Sequence, residues 1–297
     1  MATKTKTVKK SKAATKLKDA PGGAIGRRVY SIVTNKQKTI QERVAALAQA
    51  PLTVSDNEDN LKAVLAVLLN VDEPIEVRMA AMQSLQAASF SVMEFESSRG
   101  EYRAALRKVA QDPNPELRQR ALGLLARQKD GFAQKKLLEG LHSPEKALVP
   151  PEKALQLLSY DVHAAAYKAA RTIVDNPPNP TAKSEALRLL AADATASPMF
   201  EKVLLDKNEM RENRQISASA LHALDPEKMQ AVARNIVLDS ADYDDIKATS
   251  LTALTQFGDN SRLAVDESLR KSVDRMKTEG SEKLQQSAKL FLTKYSE

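Results

Sequence analysis

One nine-residue pattern recurs along this chain and constrains its fold more than any other feature. It consists of an apolar residue, a basic residue, a small residue three positions later, and an apolar residue four positions after that. The copies are centred on the basic residues Arg78, Arg118, His163, Arg214 (the weakest copy) and Lys247, which lie 33 to 51 residues apart. The small residue lets a neighbouring helix approach closely, and each interval has room for a second helix. A single amphipathic hairpin cannot bury its own apolar face, so such units must stack on one another.

Glycine and proline punctuate the sequence as they do in helical proteins. Residues 29–297 hold six of the nine glycines but twelve of the thirteen prolines. Proline is tolerated in the first turn of a helix and disrupts its interior, and the segments between prolines are rich in strong helix formers. Strand-like alternation and hairpin turns are missing from the sequence. We therefore predict an all-α protein with about 15 helices. They begin near residues 40, 56, 75, 98, 115, 131, 151, 161, 181, 198, 210, 226, 242, 261 and 281.

The repeated segments resemble HEAT repeats, most clearly in NVDEPIEVRMAAMQSLQ and QDPNPELRQRALGLLAR. The resemblance covers most of residues 38–297 and implies an α–α superhelix of about seven helical hairpins. In the HEAT family, an Asp in the turn and an Arg in the helix stack between successive repeats. The resemblance assigns this ladder role to Asp72, Arg78, Asp112, Arg118, Arg214 and Lys247. Asn208 matches the Asp position in part, whereas His163 and Lys247 depart from the family's Arg.

The positive charge of the chain is concentrated at its N-terminus. The first 28 residues contain nine Lys and Arg against one Asp, a net +8, which leaves −1 for the rest of a chain of net charge +7. The low apolar content and mutual repulsion of these lysines predict disorder, so we expect a disordered tail and linker over residues 1–37. The basic residues of this tail could bind nucleic acid, bind an anionic surface, or have no partner. They are Lys4, Lys6, Lys9, Lys10, Lys12, Lys16, Lys18, Arg27 and Arg28.

Motifs of catalysis and metal binding are missing from the sequence. The chain has no Cys, which excludes thiolate metal sites and a Cys nucleophile. Its three histidines, His142, His163 and His222, are not spaced for metal binding. HEAT-type hydroxylases use repeated His-Glu pairs for iron, and none occurs here. We therefore expect no catalytic residue, cofactor or metal, and predict that the chain is not an enzyme. The longest apolar run, residues 63–69, is too short to cross a bilayer.

These observations favour a cytoplasmic scaffold or adaptor that binds a partner protein on the concave surface of the solenoid. One alternative is a nucleic-acid-associated protein anchored by its Lys-rich tail. A second alternative is a lyase-type HEAT protein that acts on a chromophore-bearing partner. The chain resembles such lyase-type proteins in the style of its repeats. A HEAT-like signature carries fold without function.

Overall fold

The computed structural model describes residues 28–56 and 58–295, and regular structure in these residues is entirely helical, without a strand. The prediction of an all-α protein is confirmed. The chain divides into two compact units, one ending at Val109 and the other beginning at Ala110.

The first unit starts with a helical segment at residues 28–33. Val29, Tyr30 and Val33 in this segment are buried, and the Tyr30 hydroxyl is 3.0 Å from the Thr53 hydroxyl. The predicted boundary of the tail at residue 37 is therefore too late, because these apolar side chains join the core. Four further helices follow: α1 (Ile40–Gln49), α2 (Glu58–Leu69), α3 (Ile75–Ala88) and α4 (Arg99–Val109).

The second unit contains a longer series of helices. They are α5 (Pro115–Arg127), α6 (Gly131–His142), α7 (Pro151–Leu158), α8 (Ala164–Asp175), α9 (Pro180–Leu190), α10 (Ser197–Leu205), α11 (Arg211–Leu224), α12 (Pro226–Leu238), α13 (Asp244–Phe257), the short α14 (Asn260–Leu263), α15 (Glu267–Glu279) and α16 (Glu282–Lys294). Short 3-10 turns lie at Ala50–Leu52, Glu96–Ser98, Pro144–Lys146 and Ala194–Ala196.

Local sequence explains where these helices begin. Proline occupies the first position of α5, α7, α9 and α12, where its missing N–H costs no hydrogen bond. Asn114 precedes α5, and its side-chain oxygen accepts hydrogen bonds of 3.0 Å from the main-chain N–H groups of Glu116 and Leu117. At α1, Thr39 and Glu42 form a reciprocal capping box.

Within each unit, consecutive helices pack against each other in pairs, and neighbouring pairs stack into two layers. The pairs are the 28–33 segment with α1, α2 with α3, α6 with α7, α8 with α9, α10 with α11, α12 with α13, and α15 with α16. Second helices contact second helices of the neighbouring pair, as in α9 with α11 and α13 with α16. First helices do the same, as in α12 with α15. Leu187, Leu221 and Leu251 are fully buried in the layer of second helices. Each pair thus buries apolar surface that it could not bury alone.

Candidate functional site

A basic residue occupies the fourth position of most second helices. This position holds Arg43 in α1, Arg78 in α3, Lys183 in α9, Arg214 in α11 and Lys247 in α13, and Arg118 holds it in α5. Only α7 and α16 differ among the described second helices, with Ala154 and Gln285. Successive positions are 29 to 40 residues apart. We call this set of positions, with the acids that they contact, the ladder.

Three of the ladder arginines, Arg43, Arg78 and Arg214, bind the helix that precedes them. Nε of Arg43 donates to the main-chain oxygen of Val33 at 2.9 Å, Arg78 to Leu68 at 3.0 Å, and Arg214 to Leu204 at 2.8 Å. Each acceptor is ten residues earlier, at the C-terminal end of the first helix of the same pair. The last carbonyl groups of a helix have no partner within it, and a cation there also interacts favourably with the helix dipole. These bonds fasten the two helices of a pair together.

The same side chains then reach an acid in the turn of the next pair. Nη1 of Arg43 lies 2.6 Å from Glu73, and Nη2 of Arg214 lies 2.8 Å from Asp242. Lys183 forms the equivalent ion pair with Glu209. The Arg214–Asp242 pair is almost completely buried, with side-chain exposures of 2% and 0%. A charge-assisted hydrogen bond therefore ties each of these pairs to its neighbour.

Two ladder acids, Asp242 and Glu209, are held in their charged form. Burial raises the pKa of Asp242, but hydrogen bonds from Arg214 and Lys207 outweigh burial, so the pKa is lower than usual. Burial also raises the pKa of Glu209, and hydrogen bonds from Lys183 and Asn213 again lower it overall. Because these cations and acids neutralise one another inside the protein, they serve the stacking of the repeats and leave little charge for a ligand.

At two of the three predicted acid positions, the acid that makes the contact lies one residue later than predicted. Asp72 is exposed, and its neighbour Glu73 makes the ladder contact. Glu209 takes the role that the sequence placed at Asn208. Asp112 is buried, and its main-chain oxygen accepts a bond of 2.7 Å from Arg118.

Glu73 and Glu209 each lie two residues before the next second helix, and their side chains are 5% and 9% exposed, whereas the residues just before them face water. At the last basic position, Lys247 is buried, with Nζ 3.4 Å from the main-chain oxygen of Ser240.

Sequence reasoning missed Arg43 and Lys183 and misplaced His163. Arg43 follows Glu42, so the nine-residue pattern passes over it. Lys183 follows Ala182 and fits the pattern with Ala186 and Leu190, so this copy could have been found from the sequence. His163 caps α8, a first helix: its Nδ1 accepts from the Ala166 N–H at 3.3 Å, and its Nε2 is 3.0 Å from Gln134. The fourth residue from the predicted starts at 40, 75 and 115 is Arg43, Arg78 and Arg118. The predicted starts at 181, 210 and 242 are one or two residues away from the observed ones, so the same count there gives Ser184, Asn213 and Asp245.

Most residues predicted to bind nucleic acid lie outside the described residues. They are Lys4, Lys6, Lys9, Lys10, Lys12, Lys16, Lys18 and Arg27. Arg28 is described and is exposed at the start of the first helical segment.

The described residues also bear on metal binding and on membrane insertion. No group of three or more His, Cys, Asp or Glu side chains in this part of the chain is placed to hold a metal ion. In the same residues, no helix has the combination of length and apolar character that crossing a bilayer requires.

An exposed apolar loop in the first unit, residues 89–95, follows α3 and is a better candidate for a binding surface than the ladder. Phe90, Val92 and Met93 are 76%, 61% and 90% exposed. The loop is nevertheless ordered by its own contacts. Phe95 is fully buried and packs edge-on against Tyr102, with ring centroids 5.7 Å apart, and its N–H donates to the Ser91 oxygen at 2.9 Å. The loop therefore presents three large apolar side chains to water on a folded base.

Comparison with solved structures finds similar chains at low identity. An engineered protein is 15% identical over 94% of this chain and 92% of that chain, with a TM-score of 0.43. The complex of CpcE and CpcF of phycocyanin lyase from Nostoc is 15% identical over 91% and 98%, with a TM-score of 0.38. Human deoxyhypusine hydroxylase is 12% identical over 83% and 99%, with a TM-score of 0.35. No family model and no curated protein matches the sequence.

Two of these similar structures overturn one prediction from the sequence. They are named as a lyase and a hydroxylase. The prediction that this chain is not an enzyme is therefore withdrawn. With identities of 12–15% and TM-scores of only 0.35 and 0.38, these structures assign no particular reaction to the chain.

Proposed function

We propose that this chain is a HEAT-like repeat protein that binds a partner protein, and that the 89–95 loop forms part of the binding surface. The observation that carries this proposal is the grouping of Phe90, Val92 and Met93, each more than 60% exposed, within four residues. Single apolar residues on a surface are ordinary, but a contiguous group marks an interaction site.

The residue types in the loop suit protein recognition. Phenylalanine and methionine are enriched in the cores of protein interfaces, and the flexible thioether of methionine adapts to an irregular partner surface. Burying one such side chain fully is worth about 1.5–3 kcal/mol relative to leaving it exposed.

The ordered base of the loop adds to this gain. Phe95 is already buried against Tyr102, so binding would order fewer groups at the interface. The loop also follows directly after α3, which places it next to the layer of second helices on which we expect the partner.

Affinity capture with a matched pair of variants tests the proposal. Phe90→Ser together with Met93→Ser removes apolar surface from the loop. Leu52→Ser together with Val71→Ser removes exposed apolar surface elsewhere in the same unit, since these residues are 86% and 63% exposed. Proteins captured by the full chain would be identified by mass spectrometry, and binding of the purified partner would be measured by calorimetry.

We expect the loop variant to weaken binding by tenfold or more and the control variant to change it less than twofold. The proposal is wrong if the two variants behave alike, or if purified chain captures no protein reproducibly. Circular dichroism of both variants would show that the helices remain intact.

A further inference from the structure

A cavity of about 630 Å³ lies within the second unit, between the loop that joins α6 to α7 and the turn that joins α8 to α9. Its walls are mainly apolar and include Leu141, Val149, Ile173 and Pro178. Small-molecule sites in proteins usually enclose about 300–1,000 Å³ and combine apolar walls with a few polar groups. The size and lining of this cavity fall in that class.

The cavity lies where the repeat is irregular. The connection from α6 to α7 takes residues 143–150, whereas the connection from α8 to α9 takes residues 176–179 and that from α10 to α11 takes residues 206–210. The longer connection lies directly against α6 at Gly140, where an added Cβ would be 2.9 Å from Cα of Ala147. The extra residues therefore have a defined path and form one wall of the cavity.

Arg118 is the only ionisable residue that lines the cavity. Its Nε donates to the main-chain oxygen of Leu148 at 2.6 Å, and its Nη1 donates to the main-chain oxygens of Asp112 at 2.7 Å and Pro113 at 3.2 Å. Its Nη2 has no partner in the described part of the chain, and no carboxylate there forms an ion pair with it. The ladder residues Arg43 and Arg214 differ, because each is paired with an acid.

The sequence of the α6–α7 connection explains the missing acid. The acids Glu73 and Asp242 lie at a fixed distance before the ladder position of the helix that follows them. Glu73 lies five residues before Arg78, and Asp242 lies five residues before Lys247. In α7 the fourth position is Ala154, so the acid position falls on Val149. Val149 is buried and lines the cavity. An apolar side chain thus stands where the acid for Arg118 would be.

We propose that this cavity binds an organic carboxylate with an apolar body, whose carboxylate pairs with Arg118, the ladder arginine that has no acid partner in the described residues. A guanidinium group presents its N–H donors in a planar arrangement that matches a carboxylate. The apolar walls remove the ligand's body from water. They also strengthen the ion pair, because the effective dielectric constant is lower there than in water.

Three small probes of equal chain length separate charge from apolarity. Octanoate, octanol and octylammonium would be titrated into the full chain, and binding would be measured by calorimetry and by NMR chemical shifts. We expect saturable octanoate binding at least tenfold tighter than octanol binding, because a hydrogen bond to a charged group contributes about 1.5–3 kcal/mol and 1.4 kcal/mol is tenfold. Octylammonium should bind most weakly. Equal affinities for octanoate and octanol, or no saturable octanoate binding, would overturn the proposal.

Variants locate the site. Arg118→Met should bring octanoate affinity down to that of octanol. Because Arg118 also donates to main-chain groups, a second variant at an exposed residue is needed. Asn176→Asp places a carboxylate in the cavity lining, so it should weaken octanoate binding by tenfold or more and leave octanol binding unchanged.

Asn208→Asp is the matched control, since Asn208 is exposed in the turn between α10 and α11 and lies outside the cavity lining. If Asn208→Asp weakens octanoate as much as Asn176→Asp does, or if neither changes it, the cavity is not the binding site. Circular dichroism of all three variants would check that their helical content is unchanged.

Discussion

Arg214 shows how a charged side chain can belong to the core of a protein. Its side chain is 2% exposed and bonds both the Leu204 carbonyl and the Asp242 carboxylate. Removing a charge from water is costly, and the attraction of a partner offsets that cost only when the geometry is good and the remaining donors are satisfied. The arginine is therefore a specific connector, which joins the two helices of one pair and links that pair to the next.

Arg214→Ala is expected to lower the free energy of unfolding by about 3–5 kcal/mol, because it leaves the buried carboxylate of Asp242 without its main partner. Unfolding in urea followed by circular dichroism would measure the loss. Arg211→Ala is the control: this exposed residue of the same helix pairs with Asp245 at 3.3 Å. Exposed pairs contribute about 0–1 kcal/mol, so similar losses for the two variants would contradict the ladder role.

For single helices, the space around a glycine Cα shows how closely the neighbouring chain packs. Gly123 in α5 and Gly140 in α6 are both helical. A Cβ at Gly123 would meet Leu157 at 3.9 Å, which is an ordinary contact. At Gly140 it would meet the Ala147 main chain at 2.9 Å, which cannot be relieved by rotating a side chain.

Alanine substitution at the two glycines should therefore have opposite effects. Gly123→Ala is expected to stabilise the chain by up to about 1 kcal/mol through helix propensity. Gly140→Ala is expected to destabilise it by about 1–3 kcal/mol through overpacking. Thermal unfolding of both variants provides the measurement. Stabilisation by Gly140→Ala would show that the 143–150 connection does not lie against α6.

The same scale shows how well helix positions follow from local sequence. Predicted starts near residues 40, 75, 115, 131, 151 and 226 coincide with observed starts, since proline or a capping residue marks several of them. The region after α13 was harder: one helix was predicted near Ser261, and the structure has the short α14 followed by α15. Asp266, which caps α15, divides them, and no proline marks that boundary.

For the whole molecule, positive charge is concentrated at the N-terminus of the chain. Residues 1–28 carry a net +8, and the remaining residues carry a net −1. Non-specific binding to nucleic acid comes from contacts between cations and phosphates, and its strength falls steeply with salt. Any such binding by this chain should therefore depend on the tail.

We predict that removing residues 1–27 abolishes binding to duplex DNA and to RNA at low salt, because seven lysines and Arg27 leave with them. Fluorescence anisotropy at several salt concentrations would measure the affinities. A full-length chain with the seven tail lysines changed to Gln keeps the length of the tail and removes most of its charge, so it should behave like the truncated chain. Equal affinity of the truncated and full-length chains would exclude the tail as the binding element.

The amino-acid sequence by itself determined the helical class and most helix starts, because these depend on side chains within one or two turns. The tertiary structure alone decided that Glu73 and not Asp72 meets Arg43, that Lys183 pairs with Glu209, and that Arg118 faces a cavity without an acid. These facts depend on which residues some 30 positions apart come into contact, and a shift of one residue in a turn changes the partner. Short-range preferences carry no information about that register, which is set when whole helices pack.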